Sequence, residues 1–311
     1  VGIAALLATS GLTPVQPDSP NTERIEDLFW FVSFWAALVL LSVAIPLVYF
    51  VWRYRSRGRA RTVEGPQIRG NTRLEIFWTA VPVVILLLIT IFTFYKLPGI
   101  TLEASAGEQA MTVQVEGRQF YWLYRYPNGV VAIDRMRAPQ GRLVRLEITS
   151  APWDVIHSYF VPDLVAKMDA IPGKVNTVSF QAERTGLFEG QCAEFCGLQH
   201  AHMFNSIEVV PAAEFDAWLT EQAQAQETGD SDLGEQEFNG VCAKCHGPQG
   251  EGLIGPALSA TSVSDPKAVE QIVTEGFGKM PPVGRGWDER QLNALTAYLK
   301  QKFPAGGASG G

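Results

Sequence analysis

The chain has 311 residues, 47% of them hydrophobic, and a net charge of −7 at neutral pH. That is enough for two small domains plus membrane-spanning segments, and the apolar residues gather in two long runs, which sets aside a single soluble domain. Only four cysteines are present, and the two motifs described below use all of them, which excludes a disulfide framework.

Residues 1–20 open with a short apolar run, Val1 to Ala8, without a basic start, followed by Pro14, Pro17 and Pro20. The run is too short to span a bilayer and reads as an N-terminal tail or a signal-peptide remnant. Residues 21–100 are predicted to form a transmembrane helical hairpin. Leu28 to Val51 and Ile76 to Tyr95 are nearly uncharged for long enough to cross. Trp30, Trp35, Tyr49 and Trp52 flank the first span and Trp78 and Tyr95 the second, as in an aromatic belt. Pro46 and Pro82 lie inside the runs, which membrane helices tolerate as kinks. A buried soluble hairpin is the alternative, and two uninterrupted runs of this length argue against it. Between the spans stand Arg53, Arg55, Arg57, Arg59, Arg61, Arg69 and Arg73 against Glu64 alone. The positive-inside rule makes this loop cytoplasmic, so both termini and all that follows the hairpin face the periplasm of a bacterial cell membrane. The arginines are thus a topology signal and not a nucleic-acid site.

After Pro98 and Gly99 the pattern turns to strands over residues 101–220. Met111 to Tyr126 and Leu143 to Thr149 alternate, and Val155 to Val161, Val175 to Phe180 and Ser206 to Val210 are short and β-branched. Pro127-Asn128-Gly129, Pro139 to Gly141 and Pro172-Gly173 punctuate them. This predicts a small β-sandwich or barrel, in which His157 and a distant loop can meet at one end. That loop carries Cys192, Glu194, Cys196, His200 and Met203 in the order C-x-E-x-C-x-x-x-H-x-x-M. Two thiolates, an imidazole and a thioether are soft donors suited to electron-transfer copper. Cysteines four apart can bridge a pair of metals, the Glu194 carbonyl lies beside them, and His157 supplies a second imidazole. A disulfide would leave the His and Met to chance, and zinc has little use for a thioether. His202 is left as a spare.

Residues 221–234, rich in Gln, Glu, Asp and Gly, read as a linker, a flexible tether giving roughly millimolar effective concentration. In 235–303, Cys242, Cys245 and His246 form C-x-x-C-H, the attachment signature of a c-type haem. Neither a βαβ pattern for a thioredoxin-like dithiol nor a second cysteine pair for a zinc knuckle accompanies it. The opposite axial ligand is expected at Met280, beside Pro281 and Pro282. Asp265 and Lys267 flank an expected polar loop. Leu292, Leu295, Leu299 and Phe303 recur at helical spacing behind an Asp288 cap, predicting a helix packed on an all-α haem domain. Residues 304–311 read as a flexible tail.

Taken together these motifs resemble subunit II of haem-copper cytochrome c oxidases, in the caa3-type form with a fused C-terminal cytochrome c domain. The resemblance rests on Leu74-Glu75-Ile76-Phe77-Trp78-Thr79 before Pro82, Gln119-Phe120-Tyr121-Trp122, His157-Ser158-Tyr159-Phe160-Val161-Pro162, Asp169-Ala170-Ile171-Pro172-Gly173 and the loop Gln191 to Met203. It implies a multidomain membrane protein with a cupredoxin-like domain. It also implies a binuclear CuA centre on His157, Cys192, Cys196, His200, Met203 and the Glu194 carbonyl, and magnesium on the Glu194 carboxylate at the subunit I interface. Electrons would pass from haem c to CuA and on to subunit I, where oxygen is reduced to water with proton pumping. In the family the position of Glu75 opens a proton-uptake path, although a carboxylate at a helix mouth can also simply sit among headgroups. The family usually has Trp where Phe120 stands, so Phe120, Tyr121 and Trp122 are expected as an altered electron-accepting surface.

Implied partners are subunit I and other oxidase subunits, the lipid bilayer, and an external donor such as a soluble cytochrome c or a quinol-cytochrome c reductase. From Thr101 onward acidic residues outnumber basic ones, a surface suited to basic partners as well as to solubility. Two other functions share parts of the pattern: the subunit of a CuA-containing nitric oxide reductase, and a membrane-anchored copper delivery or redox-sensing protein. The complete ligand set beside a haem favours electron transfer over delivery.

Overall fold

The computed structural model describes residues 16–55, 67, 69–100, 110–229 and 231–304. Most of the arginine-rich loop, the first fifteen residues and the last seven lie outside that set. The two apolar runs are helices α1 (Pro20–Tyr54) and α2 (Thr72–Lys96), each reaching beyond its predicted span. Pro20 opens α1, where its missing N–H costs nothing, and the Asn71 side chain caps α2 by accepting from the Leu74 N–H at 3.2 Å. The helices meet at Phe31 and Phe92, whose ring centroids are 4.2 Å apart, and at the Lys96–Asp27 ion pair. Leu40, Val48, Ile76 and Phe94 point outward and exposed, a surface that only lipid or protein neighbours can cover.

The residues just before α1 are ordered against the β domain. Asp18 N–H donates to Asp163 O (2.9 Å), Ser19 Oγ to Leu164 O (2.8 Å) and Thr22 Oγ1 to Asp163 O (2.9 Å), while Asp18 pairs with Arg184. All of 18, 19, 21 and 22 are buried, so the described end of the segment read as tail is fastened to the β domain, while residues 1–15 lie outside the described residues.

That domain is a sandwich of two five-stranded sheets. One contains β1 (Met111–Arg118), β2 (Tyr121–Arg125), β3 (Val131–Ile133), β5 (Leu143–Ser150) and β8 (Asn176–Gln181), in the order β3-β2-β1-β5-β8. The other contains β4 (Arg135–Pro139), β6 (His157–Val161), β7 (Val165–Ala170), β9 (Gly186–Cys192) and β10 (Phe204–Val210), in the order β4-β10-β9-β6-β7. Parallel pairings β1·β5 and β4·β10 stand among antiparallel ones. Val113, Val115, Trp122, Tyr124, Leu146, Ile148, Tyr159 and Ile207 fill the space between the sheets. The continuous Met111 to Tyr126 pattern is two strands, folded back at Gln119 and Phe120. Four strands escape the sequence pattern: β3 is only three residues long, Arg135-Met136-Arg137-Ala138-Pro139 has two charges, β7 is mostly half-buried without clean alternation, and β9 exposes much of its length.

The predicted linker is corrected. Residues 221–228 form the second half of α3 (Ala212–Thr228), which ends at Gly229 in the left-handed region. Polarity hid it, since Phe215 and Gln226 are its only buried residues. Gln226 lies along edge strand β3, accepting from Val131 N–H (2.9 Å) and donating to Val131 O (2.7 Å), as a neighbouring strand would.

The C-terminal domain contains α4 (Leu233–Glu237), a π turn (Phe238–Cys242), α5 (Ala243–His246), α6 (Pro266–Glu275) and α7 (Glu289–Lys302). Asp265 is the N-cap of α6, not part of a polar loop, and accepts from Lys267 N–H at 3.0 Å. Asp288 caps α7 as expected, accepting from Gln291 N–H at 3.0 Å, and Leu295 and Leu299 are buried. This domain does not swing on a tether. Tyr121, Leu123, Val131 and Ile133 of the sandwich share one hydrophobic core with Leu233, Phe238, Val241, Trp287 and Leu295. Gly240 permits the approach, because a Cβ there would meet Ile133 Cγ2 at 2.5 Å.

Candidate metal centre

The strand β6 begins at His157, and β9 ends at Cys192, with Tyr159 and Cys192 paired across the two strands. The chain then turns through Glu194 and Cys196 and a short 3₁₀ turn, His200–His202, before Met203 leads into β10. All six predicted donors converge at this end of the sandwich. Cys192 Sγ lies 3.9 Å from Cys196 Sγ, 3.9 Å from His157 Nδ1 and 3.2 Å from the Glu194 carbonyl oxygen. Cys196 Sγ lies 3.6 Å from His200 Nδ1 and 3.7 Å from Met203 Sδ. His157, Met203 and both cysteines are buried. The sulfurs are free thiols, not a disulfide.

Electrostatics prepare one sulfur to ionise. The hydrogen bond from Cys196 pulls the Cys192 thiol well down, against burial and with help from His157, while the same bond and burial raise Cys196. A cation would displace the remaining shared proton. Burial works against a charged His157, yet its hydrogen bonds to Asp154 and Cys192 raise its pKa overall. Asp154 Oδ1 lies 3.4 Å from His157 Nε2 and orients the ring so that Nδ1 faces the sulfurs. Sequence reasoning missed Asp154. Its position three residues before a ligand-type histidine was the available signal. Trp122 packs edge-on against His157 and Tyr159, with centroids 6.0 and 5.0 Å away.

The predicted electron-accepting surface is corrected in part. Tyr121 and Trp122 are fully buried: strand alternation turns Trp122 into the sandwich, and the C-terminal domain covers Tyr121. Tyr121 OH donates to Val283 O (2.7 Å) and accepts from Trp287 Nε1 (3.0 Å). Phe120 stays partly exposed. The Glu194 carboxylate is about half exposed, 3.8 Å from Lys167 Nζ. Glu75, in the first turn of α2, accepts from Asn71 N–H at 3.1 Å.

In the second motif, Cys242 closes the π turn and Cys245 and His246 lie in α5. His246 Nδ1 is 2.7 Å from Pro256 O, which fixes the ring and leaves Nε2 as the free nitrogen. Burial pushes the Cys242 thiol up to about 12 and also raises Cys245. Met280 sits in a tight turn closed by paired backbone hydrogen bonds with Phe277 (2.9 and 3.0 Å) and packs on the same core as Cys242.

Three family models match the chain: "Cytochrome C oxidase subunit II, transmembrane domain" over residues 10–95, "Cytochrome C oxidase subunit II, periplasmic domain" over 130–210, and "Cytochrome C oxidase, cbb3-type, subunit III" over 229–299. Cytochrome c oxidase subunit 2 of Alkalihalophilus pseudofirmus is 28% identical over 96% of this chain and 93% of its own length. That of Cereibacter sphaeroides is 32% identical over 69% of this chain and 81% of its own. Among solved structures, the periplasmic domain of subunit II of cytochrome oxidase from Bradyrhizobium japonicum shares 33% identity, covering 40% of this chain and 97% of that one, with a TM-score of 0.36. With a membrane hairpin, a sulfur-rich sandwich and a C-x-x-C-H domain in one continuous match, the chain belongs to the cytochrome c oxidase subunit II family, as a membrane-anchored electron-transfer subunit of a terminal oxidase.

Proposed function

We propose that this subunit takes electrons onto a covalent haem c, passes them to a binuclear CuA centre, and delivers them to subunit I, where oxygen is reduced. The observation that carries this reading is the convergence of two thiols, two imidazoles, a thioether and a carbonyl on one buried pocket. Such a set fits copper, with soft sulfur and imidazole donors and no hard carboxylate among them. When bound, paired copper and haem supply one-electron carriers.

The chain's own part is to hold them rigidly. Cys192, Cys196, His157, His200, Met203 and the Glu194 carbonyl are the residues that would hold the copper. Asp154 keeps the His157 ring in place, and Trp122 shields that ring from water. Cys242 and Cys245 would attach the haem, while His246, steadied by Pro256 O, and Met280 would supply ligands to its iron. The outward Glu194 carboxylate suits a magnesium ion shared with subunit I, and Lys167 is the cation that ion would have to displace. Asp163 and Leu164 hold the start of α1 against the sandwich. Both redox domains therefore sit at the end of the hairpin away from the arginine-rich loop, which agrees with a periplasmic location.

The test is a combined optical and electron-spin spectrum of the purified oxidase with copper and haem analysis. An unpaired electron shared between two coppers and a haem that survives denaturing extraction are expected. Zinc in place of copper, or haem that washes out, would overturn the proposal.

A further inference from the structure

Lys244 stands between the two cysteines of C-x-x-C-H, yet its side chain leaves its own domain. Its Nζ donates to Asp134 Oδ2 at 2.6 Å and to Phe120 O at 2.8 Å, both in the sandwich. Its backbone carbonyl accepts from Gln199 Nε2 at 3.1 Å. Gln199 is buried and directly precedes His200. Gln119, next to Phe120, donates from its side chain to Cys196 O at 2.6 Å. The receiving end is rigid: Asp134 exchanges hydrogen bonds with Trp122 through its N–H (2.9 Å) and its Oδ1 (2.8 Å).

We propose that Lys244 is a positioning residue that clamps the haem-attachment turn onto the sandwich beside the copper loop, and that the hydrogen bond from Gln199 to its carbonyl is the principal electronic contact between the turn and that loop. The proposal rests on the functional reading above and deepens it. From Cys245 the bonded path runs through one peptide link to the Lys244 carbonyl, across one hydrogen bond to Gln199, and along the backbone to His200. The second arm, from Nζ through Phe120 and Gln119 to Cys196, needs two hydrogen bonds. The Tyr121–Trp287 contact is a poorer rival, because it ends in the 283–287 segment, which carries no haem-attaching residue. One electron crosses. What the haem-bearing turn loses the copper loop gains, and no bond breaks and no proton moves.

The experiment uses the whole oxidase with two readouts: electron transfer from haem c to CuA after photochemical reduction of the haem, and amide exchange of residues 131–134 and 236–246 by mass spectrometry. Gln199→Leu is expected to slow transfer severalfold with both spectra and amide exchange unchanged. Lys244→Ala leaves Asp134 without its cation and is expected to speed amide exchange at the contact by about 30-fold and to slow transfer, with Lys244→Arg restoring much of both. Wild-type transfer rates in Gln199→Leu would overturn the electronic contact. Unchanged amide exchange in Lys244→Ala would overturn the clamp, and that readout needs no bound metal. Absence of copper or covalent haem from the wild-type oxidase would instead sink the functional reading, leaving the clamp to stand or fall on exchange alone.

Discussion

Cys192 and Cys242 are both buried or nearly so, yet their thiols are driven in opposite directions, one well down by its neighbour Cys196 and the other up to about 12 by burial. The contrast follows from surroundings: a thiol partner stabilises one thiolate, while burial disfavours the other. Asp154 works at one remove from the copper loop. Asp154→Ala should lower copper affinity about 10–100-fold, measurable by chelator competition, while the Cys192 and Cys196 contact persists. Glu237 is fully buried with neither carboxylate oxygen hydrogen-bonded, Gln291 being its neighbouring amide, and burial holds its pKa well above the ordinary value. The folded state thus keeps a proton that the unfolded chain releases at lower pH. Stability should fall as pH rises from the ordinary carboxylate range to the raised value, then level off. Glu237→Gln should flatten that slope and raise the midpoint near neutral pH in thermal unfolding at several pH values. The ligand-type residues were legible because their spacing along the chain is itself the chemistry. Asp154, Gln199 and Lys244 were not, since their roles arise only where strands and domains approach.

Among the elements, α3 departs furthest from expectation. A run of Gln, Glu and Asp has no apolar stripe, so periodicity predicted a tether, yet Gln226 turns the helix into a cover for an exposed sheet edge. Gln226→Ala leaves the Val131 N–H and C=O unpaired and should cost about 1–3 kcal/mol, checked by denaturant unfolding of the solubilised protein. Strands β3 and β4 were hidden for a related reason, being too short or too charged for alternation to register. The spans, the Asp288 cap and the longer strands were readable because burial there follows a regular period. At the start of α2, Glu75 accepts from the Asn71 N–H, a capping contact that can coexist with the proton-uptake role the family resemblance implies. Glu75→Ala should slow oxygen turnover without altering the copper spectrum. Unchanged turnover would reduce Glu75 to a cap.

For the molecule as a whole, the shared core between sandwich and haem domain replaces a searching tether with a fixed arrangement. Electron transfer inside the subunit should therefore vary by less than about twofold between low and physiological ionic strength, whereas delivery from a basic external donor to the acidic exterior should weaken as salt rises. Stopped-flow kinetics against salt distinguish the two steps. A strong salt dependence of the internal step would mean that the domains part and re-dock in each cycle.

The bonds that fasten Asp18, Ser19 and Thr22 to the sandwich have a mechanical corollary. Helix α1 has 35 residues and is roughly 52 Å long, against a hydrocarbon layer of about 30 Å, so it stands as a mast with its upper end built into the copper domain. Any lean of that mast in a thinner or thicker bilayer must tip the copper loop by the same angle. A change in bilayer thickness is thus expected to reach the sandwich through α1.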